Sequence, residues 1–415
     1  MVKLLHFADA HIDMANYGRH DPESGLPMRV MDFLKSLDEI TQAAIDEQVD
    51  LVIFAGDAYK DRSPSPTFQR EWGKRIMRLS HAGILTLLLT GNHDISPSTG
   101  RAHAVQEFDT LEVPHVRVLN KPQFLTPAEL EGLPVQVLAL PWISRSGLMA
   151  SQELSGTDPD EVYERLGKRI SEMLEDWLSE ADPTLPIILT AHASVEGAQY
   201  GNERMVMLGN DLVLPPGLVK DPRFDYVALG HIHKAQDLNE GGHPPVIYPG
   251  SIERVDFGEA RDKKYFILAS IDKGNAQVTW RELKHIRPFI DIKVHLESDE
   301  AINLKLQEAL PPKSKLDGAI LRMVIEYQRE WESLIDEASL RALAEPAFEF
   351  HLVKRPQMQA RVRLPEGQAA SSLSVVDLLD IFWKASSKDM PAEKRQALNQ
   401  LAKSIIEETG TDDKS

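Results

Sequence analysis

Seven side chains able to hold a metal cation stand directly behind short apolar runs of this 415-residue chain. HFADAH delivers Asp9 and His11, LVIFAGD delivers Asp57, and ILTLLLTGNHD delivers Asn92 with His93 beside it. LPIILTAH ends on His192, and YVALGHIH supplies His231 and His233. Carboxylate, amide and imidazole donors without thiolate suit Mn, Fe or Zn, and a carboxylate can bridge two cations. Two such cations clamp an in-line displacement at phosphorus and make water a nucleophile at neutral pH. The Asn92 amide would add a neutral oxygen and leave the second cation electron-poor. A single histidine in such a place is more often a surface or core-capping residue. Five apolar runs with this ending, including the strings GNHD and GHIH, form a metal site if their tips meet.

That condition falls on the fold. Each run is rich in Val, Ile, Leu or Phe, as a buried strand is. In open α/β sheets, ligands gather beyond the carboxyl ends of the strands. Helical patterns lie between the runs. Met28 to Glu47 carries Val30, Phe33, Leu34, Leu37 and Ile40 on one side. Pro66 opens a helix to about His81. Asp158 to Glu180 is a charged helix with Val162, Leu166, Ile170 and Leu174 as its stripe, punctuated by Pro183 and Pro186. After GHIH, the stretches IYPGS, KKYFILASI and AQVTWREL read as further strands. Residues 1–285 therefore alternate strand and helix in an α/β layered domain.

Residues 286–355 read as a smaller βαβαβ unit without a ligand cluster. Its parts are FIDIKVHL, a helix around Glu300 to Leu310, ILRMVIEY, a helix around Trp331 to Leu343, and FEFHLVKR. Residues 356–373 have linker composition. Residues 374–415 read as two amphipathic helices. Val375, Leu378, Leu379, Phe382 and Trp383 share one face, as do Leu398, Leu401 and Ile405. A Phe-Trp pair there needs a cover, either the protein's own body or a partner.

The length predicts two or three domains. Cys is absent, which excludes disulfides and thiolate ligands and agrees with a reducing compartment. MVKLLHFADAHID has no signal-peptide core, and no run reaches membrane-spanning length. A soluble, cytoplasmic protein with no membrane association is expected. The formal charge of −18 argues against a general polyanion binder, because phosphate contacts need Lys and Arg. Arg62 and the cluster Arg254, Arg261, Lys263 and Lys264 are the candidate exceptions, with ordinary solvated surface as the alternative. Weak intrinsic DNA affinity, supplemented by a partner or dimerisation, is the expectation. No G-x-x-x-x-G-K-[ST] occurs, so any ATP hydrolysis belongs to another polypeptide.

The set D-x-H, GD, GNHD, lone H and GH-x-H resembles the calcineurin-like metallophosphoesterase superfamily. GDAYKDRSPSPT, HASVEGA and IYPGSIERVDFGE are similar to the SbcD-type nucleases of double-strand-break-repair complexes, over roughly the first two-thirds of the chain. The resemblance implies a sandwich of two mixed β-sheets flanked by helices, with an α+β capping domain that meets DNA. It implies a helical tail gripping an SbcC-like coiled-coil ATPase. It also implies a homodimer, with the helices near Pro66 to His81 and Arg101 to Leu111 as contact surfaces. The cofactor implied is two divalent ions, with Mn2+ the expected metal. One would take Asp9, His11, Asp57 and His233, and the other Asp57, Asn92, His192 and His231, with a bridging hydroxide as nucleophile. His93 would face the leaving oxygen, and Asp94 would orient it or cap a helix. One position departs from the family: Lys60, followed by Asp61, stands where Asp or His is usual. A phosphate contact and a solvated lysine are both open there.

The function expected is a DNA nuclease of repair and recombination. It would be an exonuclease on double strands and an endonuclease on single strands or hairpins. A small-molecule or phosphoprotein phosphoesterase would use the same ligands. A non-catalytic scaffold would be favoured by a missing ligand or a missing His93, and none is missing.

Overall fold

The computed structural model describes residues 1–17, 19–95, 102–143, 159–201, 213–357, 374–386 and 392–409. In chain order the strands of the first part are β1 (Val2–Phe7), β2 (Leu51–Phe54), β3 (Leu85–Leu89), β4 (Val116–Leu119), β5 (Gln123–Leu125), β6 (Gln136–Leu140) and β7 (Ile187–His192). A two-residue parallel pair, β8 (Ser194–Val195) and β9 (Val213–Leu214), comes next. There follow β10 (Tyr226–Gly230), β11 (Gln236–Asp237), β12 (Val246–Tyr248), β13 (Tyr265–Asp272) and β14 (Asn275–Glu282).

Two six-stranded mixed sheets result, ordered β14-β13-β1-β2-β3-β4 and β11-β12-β10-β7-β6-β5. The strands that carry the candidate ligands run parallel: β1 beside β2 beside β3 in one sheet, and β7 beside β10 in the other. Antiparallel strands close one edge of the first sheet and both edges of the second.

Why these segments read as unbroken apolar runs is visible in the layers. On β2, Val52 and Phe54 enter the core shared with the helices Met28–Asp46 and Pro66–His81. Leu51 and Ile53, on the opposite face, enter the core between the two sheets. The outer face of the second sheet packs on the helix Pro159–Glu180 through Leu166, Ile170 and Leu174. A strand buried on both faces has no polar side to show in its sequence.

Two compact units divide the chain. The first holds Met1–Asp291, Asp317–Ile320 and Ala347–Glu349, and the second holds Ile292–Leu316, Leu321–Pro346 and Phe350–Ser415. A three-stranded sheet runs in the order β15 (Phe289–His295), β16 (Ile320–Gln328), β17 (Glu349–Gln357). The second unit has its own core of Leu296, Ile302, Leu306, Met323, Ile325, Tyr327, Ile335 and Leu340. β17 continues through Pro356 to Gln357. An edge strand tolerates that proline because its missing N–H need not enter a ladder. The rest of the expected linker lies outside the described residues. Two helices, Val375–Ser386 and Ala392–Thr409, follow and pack on each other. Phe382, Leu401 and Ile405 are exposed on them. No described helix is long and apolar enough to cross a membrane.

Candidate metal centre

All seven candidate ligands converge beyond the carboxyl ends of β1, β2, β3, β7 and β10, and the backbone is strained to bring them there. Asp9, His11, Asp57 and His231 have φ of 50°, 38°, 64° and 101°, a left-handed region that side chains beyond Gly seldom occupy. Main-chain bonds lock the first two tips together: Asp9 N–H donates to Gly56 O (2.9 Å) and Ala10 N–H to Asp57 O (2.8 Å). Glycine permits the closest approaches. A Cβ at Gly91 would strike the Asp57 carboxylate, and one at Gly230 would strike the Ala55 carbonyl.

Buried donor atoms gather in two groups, Asp9 with His11 and His233, and Asp9 with Asp57 and His192. The Asn92 amide oxygen lies 3.0 Å from His192 Nε2 and 3.0 Å from His231 Nδ1. Hydrogen bonds on the far side of the rings fix which nitrogens keep a lone pair. His11 Nδ1 donates to Tyr59 O (3.3 Å), His192 Nδ1 to Ala55 O (2.7 Å) and His233 Nδ1 to Glu259 (2.8 Å). Their Nε2 lone pairs therefore point inward. His11 Nε2 then faces His233 Nε2 at 3.1 Å, and His192 Nε2 faces both Asn92 Oδ1 and, at 3.4 Å, Asp57 Oδ2. Acceptors facing acceptors repel unless positive charge lies between them. The donor set thus fits divalent cations.

The electrostatics agree. Burial, the largest single influence, raises the Asp57 carboxyl, but His192, His93 and His11 together hold it below the usual carboxylate range. Against its own burial, His192 is pushed up to about 9 by Asp57. Burial holds His11 well below the ordinary imidazole value and lifts Asp9. Without a cation, the excess negative charge around Asp57 is therefore met by a proton on His192, while burial keeps His11 neutral.

His93 stands beside this cluster. Its main-chain N–H donates to Asp57 Oδ1 (2.8 Å), and its Nδ1 donates to Lys60 O (2.9 Å). Its Nε2 lies 3.4 Å from the Lys60 ammonium. Asp13 fixes that loop by accepting the N–H groups of Lys60 and Asp61.

The family model of the calcineurin-like phosphoesterases matches residues 2–235, an interval that contains every candidate ligand. The chain belongs to the calcineurin-like phosphoesterase family. Among similar proteins, the SbcD component of the SbcCD nuclease from Escherichia coli K12 is 25% identical, with 96% of each chain covered. The SbcD component of the same nuclease from Staphylococcus epidermidis is 27% identical over 76% of each chain. A DNA double-strand break repair protein of Archaeoglobus fulgidus is 24% identical over 74% of this chain and 65% of its own. The resemblance to SbcD-type nucleases thus runs well beyond the phosphoesterase motifs.

Several neighbours of the site differ from expectation. Among the described residues, Asp94 makes no bond to the His93 side chain: its buried carboxylate accepts the N–H groups of Asp57 (2.8 Å), Ala58 (3.0 Å) and Gly91 (2.9 Å). It thereby ties the GD loop to the GNHD loop. Burial, then the Asp57 charge, pushes this carboxyl up to about 7. Three of the four residues in the basic cluster are engaged within the protein. Arg254 donates to the carbonyls of Glu259, Asp262 and Arg287, Lys263 pairs with Glu282, and Lys264 is buried on Glu259. Trp142, at the tip of β6, was not anticipated. It packs on His231 with ring centroids 5.0 Å apart, and the LALPW string that carries it ends a strand as the ligand runs do. A groove of about 1120 Å³ lies elsewhere, where Arg78 pairs with Asp38, Arg281 with Glu47 and Arg287 with Asp32.

Proposed function

We propose that this phosphoesterase is an SbcD-type DNA nuclease that hydrolyses phosphodiesters of duplex ends, and of single strands or hairpins, in repair and recombination. The observation that carries this reading is the reach of its similarity. The family model ends at residue 235, yet the match to an SbcD nuclease covers 96% of both chains. A phosphoesterase for small molecules or phosphoproteins would leave the three-stranded unit and the tail helices without a role.

In this reading Asp9, His11, Asp57 and His233 would hold one divalent cation, and Asp57, Asn92, His192 and His231 the other. Mn2+ is the ion we propose. When bound, the pair supplies an electrophile for phosphoryl oxygens and makes water nucleophilic at neutral pH. The chain's own residues do the rest. Asp94 keeps the two loops in register, and Gly91 lets Asp57 lie against its neighbours. His93, held through Nδ1 by the Lys60 carbonyl, presents Nε2 beside the Lys60 ammonium. Once Nε2 has taken up a proton from solvent, the ring can donate it to the leaving oxygen. Lys60 would lie against a substrate phosphate, the role left open by its departure from Asp or His.

The exposed Phe382, Leu401 and Ile405 support a docking role for the tail, which we assign to an SbcC-like coiled-coil ATPase. We further propose a cytoplasmic homodimer that uses the helix Pro66–His81 and the segment expected from Arg101 to Leu111, in which the 3₁₀ turn Ala104–Gln106 and the helix Glu107–Thr110 are described. The test supplies linear duplex DNA, hairpin DNA and a chromogenic diester with Mn2+, with and without chelator and the ATPase. Cleavage of both DNAs is expected, and cleavage of the small diester alone would overturn the nuclease assignment. His93→Ala should abolish turnover with metal content intact, whereas loss of metal would make His93 a ligand. Deletion of residues 374–415 should abolish co-purification with the ATPase and spare diester hydrolysis.

A further inference from the structure

We infer that Trp142 recognises a nucleobase: its indole stacks an unpaired base next to the phosphate being cut, and so turns the site toward single strands, frayed ends and hairpin loops. The inference rests on the reading above, in which the chain cuts DNA and Asn92, His192 and His231 share a cation.

Trp142 stands just beyond the end of β6. Its main-chain N–H donates to Thr90 O (2.9 Å), one residue past the end of β3, the strand that leads to Asn92. The indole lies against both imidazoles of that cation position. Its centroid is 5.0 Å from that of His231 with the planes 37° apart, and 6.1 Å from that of His192 with the planes 76° apart. Trp142 shares with Leu140, Ile170, His192 and Leu214 a cavity of only about 10 Å³, no larger than one water needs. The ring therefore has no room to turn inward. His192 and His231 are buried, yet part of Trp142 stays in contact with solvent.

A rigid indole at the rim of a charged centre offers a phosphate little, but it offers a flat π surface. Of the parts of a DNA strand, the base is the one with a matching face. One sugar joins that base to its phosphate, so a phosphate on this cation brings a base within reach of a ring that touches two of the ligands. Stacking on an aromatic side chain favours every base and is therefore tolerant of sequence. A base inside a duplex is already stacked and paired, and must be extruded at a cost before it can use the indole. Unpaired nucleotides are thus preferred without any reading of base identity. A role confined to bracing His231 would act through the cation, and would affect every substrate alike.

The test gives full-length protein and Mn2+ two hairpin oligonucleotides with the same stem and the same phosphates. The loop of one carries natural nucleotides, and that of the other carries abasic ones. Native protein should cleave the natural loop with a kcat/KM about 10-fold or more above the abasic loop. Trp142→Leu should bring this ratio close to 1, whatever it does to the absolute rates, and Trp142→Tyr, which keeps a π face, should retain most of it. A native ratio near 1 would overturn the inference. A ratio unchanged in Trp142→Leu would also overturn it and leave Trp142 as a brace for His231. Native protein that cleaves a chromogenic diester and neither hairpin would overturn the nuclease reading, and the inference with it. Should the Leu variant not fold, photocrosslinking of chelator-treated native protein to a hairpin with 5-bromouracil in its loop decides. Attachment at Trp142 is expected, and attachment only elsewhere refutes the proposal.

Discussion

Removing the Asp94 carboxylate should unfasten the site before it touches chemistry. This side chain is 3% exposed and is the acceptor for three main-chain N–H groups, of Asp57, Ala58 and Gly91. Asp94→Ala leaves all three without that partner in the interior. At about 1 kcal/mol or more for each buried unpaired donor, the loss is about 3 kcal/mol. That is a large share of a domain stability of about 5–15 kcal/mol. Asp94→Asn keeps an oxygen that can accept two of the three and turns an NH2 toward the third, so about 1–2 kcal/mol is expected. The assay is urea unfolding of chelator-treated protein, with hydrogen exchange at the three amides. In the Ala variant those amides should exchange about 100-fold faster, the factor that about 3 kcal/mol represents. Stability and exchange unchanged within about 0.5 kcal/mol, together with lost turnover, would refute the reasoning and return Asp94 to orienting His93.

Other variants probe other links. A Cβ at Gly230 would collide with the Ala55 carbonyl and lie 3.0 Å from His192 Nδ1. Gly230→Ala should therefore break the His192–Ala55 bond and weaken cation binding by about 10-fold; an unchanged isotherm would contradict the packing. Burial lowers His6 to about 3, opposed by its bond to the Leu229 carbonyl. With the folded value below the unfolded 6.5, its contribution is complete above pH 6.5 and is lost as pH falls toward 3. The slope reaches about 1.4 kcal/mol per pH unit. Compared with His6→Gln, the native protein should lose about 2 kcal/mol more between roughly pH 6.5 and 5, and parallel stability curves would refute this. If Lys60 touches a phosphate, Lys60→Ala should reduce the salt dependence of DNA binding, measured without turnover, by about 0.9 in log–log slope. An unchanged slope would leave Lys60 as a solvated side chain.

What the sequence made legible follows from how the interior is built. β2, β3, β7 and β10 are buried on both faces, so each appears as an apolar run, and a polar residue at its end is conspicuous. Five of the seven candidate ligands are of this kind, and Asp9 and His11 follow β1, whose burial is broken only at Lys3. Helix boundaries were readable where caps and prolines mark them, as at Pro66 and His81. Residues whose role depends on irregular backbone were not readable. Glu259 and Lys264 are five positions apart around a 3₁₀ turn, Phe257–Glu259, with no periodicity to link them. Lys264 looked like one more surface cation because four basic residues cluster between Arg254 and Lys264. Asp94 acts on main-chain N–H groups more than thirty positions away, and backbone donors leave no trace in residue identity. His6 resembled a surplus histidine until its ring met Tyr226 O–H and the Leu229 carbonyl.

Anomalous diffraction from crystals soaked in Mn2+ tests the central claim most directly. Two peaks should flank the Asp57 carboxylate, one ligated by Asp9, His11 and His233 and the other by Asn92, His192 and His231. Peaks confined to surface carboxylates, with Asp57 ligating nothing, would contradict it.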